Sequence, residues 1–166
     1  LATIARFGED GFADYWKQLV ANGAKIVEGW TAAYSVDFSA GEGKGSYPIV
    51  LSYSSSPAAT VSDDGTTSTT ASVPATAFRQ IEYAGVLAGA KNPSGAKAFI
   101  EWLLTKDVQT AIPDSMYMYP VSTEATLSQA MTTFGALSPS PLTLDAATIA
   151  DKRETWLATW TEAVGQ

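Results

Sequence analysis

Two residue types are missing from this chain altogether: it has no cysteine and no histidine. Without cysteine there are no disulfides and no thiolate metal sites. Without histidine the commonest general base, the usual zinc ligand and every Ser–His or Cys–His pairing are gone. Paired carboxylates are the acid–base chemistry left over, and no dense acidic cluster supports them. Charge is sparse, at 16% of residues, and unbalanced, with 10 Lys and Arg against 17 Asp and Glu for a net −7. An acidic chain is poorly suited to nucleic acid, whose binding rests on cations neutralising phosphates. Its field steers cationic solutes instead. No apolar run approaches the roughly 20 residues that span a bilayer, and no signal-peptide pattern is visible.

What remains is 166 residues, 46% of them hydrophobic, enough for one unit with a real core. The stretch Leu1-Ala2-Thr3-Ile4-Ala5-Arg6-Phe7 reads as the middle of a helix without a cap, so the chain is expected to be a fragment of something longer. From Asp10, taken as N-cap, Phe12, Tyr15, Trp16, Leu19 and Val20 repeat at helical spacing, and Asn22-Gly23 supplies a left-handed stop. A second helix is expected over 31–38, ended by Gly41, Gly43 and Gly45. Asn92-Pro93 starts a third, since Asn caps and Pro fits the first helical position. Another runs from Lys106 and ends before Pro113, and Asp145 caps a last one reaching Val164.

Strands are expected over 24–28, 48–53 and 78–87, with an extended aromatic segment at 116–121. Strands alternating with helices predict an α/β domain with a mixed, largely parallel sheet flanked by helices. Residues 60–76, rich in Ser, Thr, Asp and Gly, have almost nothing to bury and are expected as a flexible surface loop. Asp63-Asp64-Gly65 within it reads as a solvated turn rather than a metal site. Trp16, Trp102, Trp156 and Trp160 sit on helical apolar stripes and are assigned to the core.

Two places stand apart from those stripes. Gly29-Trp30-Thr31-Ala32-Ala33-Tyr34 leads from a strand-like segment into a helix, and Ile49-Val50-Leu51-Ser52-Tyr53-Ser54-Ser55-Ser56-Pro57 leaves one. An open α/β sheet keeps its small-molecule site outside the carboxyl ends of its strands. Aromatic faces there suit a flat or cationic ligand. Binding is favoured over catalysis.

These two motifs, with Phe78-Arg79-Gln80-Ile81-Glu82-Tyr83-Ala84-Gly85, Gly89-Ala90-Lys91-Asn92-Pro93, Met118-Tyr119-Pro120-Val121 and Pro141-Leu142-Thr143-Leu144, resemble the C-terminal half of thiamine-binding solute receptors of ABC transporters. The resemblance covers nearly the whole chain apart from 60–76 and 123–138. It implies a type II periplasmic-binding-protein-like fold, one lobe plus parts of the hinge and second lobe. It implies an extracytoplasmic, periplasmic or membrane-attached receptor that closes on thiamine or a thiamine derivative and delivers it to an ABC permease. Thiamine is then the transported ligand, with no cofactor and no metal. The ligand contacts it implies are Trp30, Tyr53 and Tyr117. Tyr34, one helical turn beyond Trp30, is placed by spacing to share or brace the pocket, and Ser54 or Ser55 stands ready to supply hydrogen bonds. Two departures loosen the match to thiamine: Ala59 stands where some relatives place an aromatic, and Tyr117 where many carry Trp.

The physical chemistry fits a vitamin with a permanently charged thiazolium and a flat aminopyrimidine. Each aromatic face attracts such a cation by about 0.5–2 kcal/mol. Micromolar binding needs about 8 kcal/mol, so three aromatics are insufficient alone. A single lobe is expected to bind poorly, and to self-associate through exposed apolar surface. Two rivals remain open: a receptor for another small cation or ferric iron, although no adjacent tyrosines are present, and a histidine-free serine hydrolase using Ser54 or Ser55, although no Ser-x-x-Lys appears. Glu82 is a neighbour of the expected site or an ion-pair partner of Arg79.

Overall fold

The computed structural model describes residues 1–40 and 44–165. Five α-helices carry it: α1 (Ala2–Ala21), α2 (Pro93–Leu103), α3 (Lys106–Met116), α4 (Gln129–Phe134) and α5 (Ala146–Val164). A π-helix (Ala32–Asp37) and two 3₁₀ turns (Ser56–Thr60, Pro74–Thr76) complete the regular structure of the described residues.

The core lies between α1 and α5, where Ile4 and Phe12 meet Trp156 and where Trp16, Leu144, Ile149 and Trp160 close the edges. Trp16 and Trp160 meet edge to face at 5.7 Å. Asp145 caps α5 as its spacing predicts, accepting from the Thr148 amide at 2.8 Å. Asn92 does the same for α2, accepting from the Gly95 amide at 2.9 Å. The Asn22-Gly23 stop of α1 is also observed, with Gly23 at φ +88°.

Several expectations are corrected. Asp10 does not start a helix: α1 begins at Ala2 and breaks instead at Gly8, whose φ of 74° and ψ of 174° are non-helical. Pro113 does not end α3 but lies buried inside it. Met116 closes that helix and Tyr117 caps it, so residues 116–121 are not one extended segment. Trp102 is 53% exposed, stacked obliquely on Phe99 at 5.5 Å rather than entering the core. Arg79 reaches the Ser138 carbonyl at 3.5 Å, whereas Glu82 accepts from Gln80.

The mixed sheet is the larger difference. Among the described residues no strand forms, and pairing is confined to three isolated bridges: Phe38 with Tyr47, Val61 with Ser68 and Phe78 with Leu142. The segments expected as inner strands run extended but unlayered. Leu51 is 84% and Tyr83 89% exposed. An apolar run marks a segment ready for two covered faces; the ladder itself must come from a neighbouring strand.

Residues 60–76 fold back on themselves through hydroxyls. Thr60 Oγ1 lies 2.8 Å from Ser68 Oγ and 2.7 Å from Thr70 Oγ1. At the turn, Asp64 accepts from the Ser62 hydroxyl and from the amide and hydroxyl of Thr66, with Gly65 at φ +71°. These hydrogen bonds hold its carboxyl down to about 2. Among the described residues no group of acidic side chains is placed to hold a metal ion.

α4 forms where no helix is expected from the sequence. Ser128 caps it by accepting from the Met131 amide at 3.3 Å. Met131 then packs, fully buried, with α4 set against the 3₁₀ turn Ser56–Thr60.

Candidate functional site: an aromatic stack beside a serine-rich turn

Gly29 makes the first move, turning the chain at φ +111°, a conformation that L side chains rarely adopt. Helical structure starts directly after it at Trp30 and passes into the π-helix, where the Phe38 amide bonds the Ala33 carbonyl at 3.0 Å, five residues back. Residues four apart share a helical face, so Trp30, Tyr34 and Phe38 fall in a row. Trp30 lies almost flat on Tyr34, centroids 4.6 Å apart and planes at 13°, and Tyr34 leans on Phe38 at 5.5 Å. Tyr34 is 6% exposed and Trp30 44%, so the stack has a sealed inner end and an open outer ring.

The far end of the π-helix is tied down. Lys25 Nζ donates to Asp37 Oδ1 at 2.8 Å, and this bond raises the Lys25 pKa. The Tyr47 amide donates to the Asp37 carbonyl at 3.1 Å. Gly45 passes so near that an added Cβ would sit 1.8 Å from the Asp37 carbonyl oxygen. The expected stop at Gly41 and Gly43 lies outside the described residues; Gly45 contributes by close approach.

The second motif meets the first edge-on. Trp30 Nε1 donates to Ser52 Oγ at 2.9 Å, and Ser52 Oγ stands 2.7 Å from Ser56 Oγ. Tyr53, next along, is 58% exposed. Ser55 is buried against α4, with its Cα 3.3 Å from where a Cβ on Gly135 would stand. Ser54 stands beside the Tyr119 hydroxyl; burial pushes that phenol's pKa up and the serine pulls it back.

Tyr117 is held by α3. It is the one described non-glycine residue with positive φ (53°), in the left-handed position that ends the helix. Gln109, buried, accepts from the Val121 amide at 2.8 Å and donates to the Leu103 carbonyl at 2.8 Å. It thereby fixes the turn that carries Tyr119. The structure thus brings Trp30, Tyr34 and residues 52–56 together, and sets Ser54 by Tyr119. No ring–ring contact joins Trp30, Tyr53 and Tyr117 among the described residues. Sequence reading missed Ser52, Ser56 and Tyr119; the serine run was the available signal for the first two.

A separate cavity of about 400 Å³ lies along α1 and α5, lined by Trp16, Trp156, Trp160 and Arg153 and edged by Leu51. Its walls belong to the core helices, and it lacks the stacked, open ring of the 30–34 motif.

Comparison with known proteins gives the wider frame. Residues 8–138 match the family of bacterial extracellular solute-binding proteins. The chain belongs to this family. Its members work outside the cytoplasm, and no helix among the described residues is long and apolar enough to cross a membrane. The thiamine-binding periplasmic protein of Escherichia coli K12 is 29% identical over 163 residues, covering 96% of this chain and 47% of that protein. The Salmonella typhimurium LT2 protein of the same name is 28% identical over 160 residues, covering 95% and 46%. That of Brucella melitensis biotype 1 is 31% identical over 156 residues, covering 91% and 44%. The chain therefore spans about half the length of these relatives. No solved structure matches it. The family's known role is solute capture for transport, which points away from an enzyme.

Proposed function

We propose that this chain supplies one wall of the ligand cleft in the substrate-binding component of an ABC importer for thiamine or a thiamine derivative. The observation that carries this reading is the open outer ring of the Trp30–Tyr34 stack, backed on one side and free on the other. A flat cation needs such a surface, and the net charge of −7 favours its approach. The names of the relatives supply the vitamin.

Trp30 takes the ligand face to face. Tyr53 and Tyr117, both substantially exposed, contribute further aromatic surface, and Ser54 offers a hydroxyl. Tyr34 braces Trp30 from behind. Ser55 serves the turn rather than the ligand. Closure on the ligand and recognition of the closed form by a membrane permease complete the transport cycle.

Calorimetric titration of the full-length receptor, both lobes present, with thiamine, thiamine monophosphate, spermidine and ferric citrate tests this. Saturable heat with thiamine or its phosphate and none with spermidine or iron is expected. Tighter binding of either of the last two transfers the site to a different solute, and no binding of any removes it.

A further inference from the structure

Indole is a hydrogen-bond donor only, with one N–H to place. Trp30 is exposed enough for water to take that proton, yet its Nε1 donates to Ser52 Oγ at 2.9 Å. Ser52 is not a loose acceptor. Its oxygen lies 2.7 Å from Ser56 Oγ, ordinary for an O–H···O bond, and either hydroxyl can be the donor. Ser56 opens the 3₁₀ turn whose Pro57 and Ala58 are buried, and that turn packs on α4. The indole is thus restrained twice: its inner face by Tyr34 at 13°, its edge by a serine anchored to the packed interior. Rotation about either side-chain torsion of Trp30 breaks at least one restraint.

We infer that Ser52, anchored by Ser56, is a positioning residue that fixes the plane of Trp30 for a flat cationic ligand. This rests on the reading of Trp30 as the ligand face. A ring held in its binding orientation before the ligand arrives loses less freedom on binding. Ser52 also precedes Tyr53, so the same hydrogen bond sets the backbone that carries a second exposed aromatic relative to the first.

The experiment uses thiamine titration of the full-length receptor together with the indole N–H resonance of Trp30, assigned by its loss in Trp30→Phe. Ser52→Ala should move that resonance upfield, speed its exchange with solvent and weaken thiamine binding roughly 3- to 10-fold. Ser52→Thr, which keeps the hydroxyl, should restore all three. Ser56→Ala, which leaves the first hydrogen bond but loosens its anchor, should give a smaller change in the same direction. A shifted resonance with unchanged affinity in Ser52→Ala overturns the positioning role. So does weakened affinity that Ser52→Thr fails to rescue, because that is general damage to the turn. Full affinity in Trp30→Ala overturns the underlying site, a different result from a Trp30→Ala loss that Ser52→Ala does not share. Absence of thiamine binding in the unaltered protein overturns both.

Discussion

Glu9 on α1 accepts from the indole N–H of Trp156 on α5 at 3.3 Å, while Lys152, one turn earlier on α5, donates to the other carboxylate oxygen. The two helices that hold the core are therefore joined at their solvent edge by one carboxylate with two donors.

That junction is sensitive to acid. The Lys152 hydrogen bond, then that of Trp156, holds the Glu9 pKa below its ordinary 4.5. A carboxyl depressed in the folded state adds stability above its unfolded pKa and loses it as pH falls through the folded one. The unaltered protein should therefore lose melting temperature below about pH 4.5, and Glu9→Gln should show a shallower acid limb. Glu9 is solvent-exposed, so the difference should shrink in 0.5 M salt. Melting curves between pH 3 and pH 7 measure it; parallel limbs would leave Glu9 without this role.

Asn92 caps α2 through one side-chain bond to the Gly95 amide. Asn92→Ala should cost about 1 kcal/mol and Asn92→Asp almost nothing, read from urea midpoints at constant slope. Since α2 contributes no buried residue, neither change should alter thiamine affinity.

Met131 is fully buried where α4 meets the turn Ser56–Thr60. Met131→Ala should cost about 2–4 kcal/mol through the cavity it leaves. Because the same turn anchors Ser52, thiamine affinity should fall as well, which a purely remote core position would not show. Paired denaturation and titration of this variant decide the point.

Each exposed aromatic of the proposed wall should contribute separately. Trp30→Ala, Tyr53→Ala and Tyr117→Asn should each weaken thiamine binding about 2- to 30-fold, the equivalent of roughly 0.5–2 kcal/mol. Asn at 117 tolerates the left-handed backbone that Tyr117 adopts at φ 53°, so stability should hold or rise while affinity drops. Unchanged affinity in all three variants would take the cleft away from these residues.

The sequence by itself determined what is local. Caps at Asn92 and Asp145 and the tight turn at Asp64-Gly65 depend on side chains bonding to backbone a few residues away, and the stop at Asn22-Gly23 on a glycine free to take positive φ, so spacing alone reveals them. It also separated Trp156, set in a helical stripe, from Trp30, set beside a glycine. Trp102 shows the limit: its stripe is as regular, but an apolar helix face is buried only where something packs on it, and Trp102 stays 53% exposed beside an equally exposed Phe99. The inner strands failed for the same reason, since Leu51 and Tyr83 carry the right pattern without a ladder beside them. Only the tertiary structure decided that Ser52 meets Trp30 across 22 residues and that Ser55 turns inward against α4. Those are contacts between distant segments, fixed by packing that no short window of sequence contains.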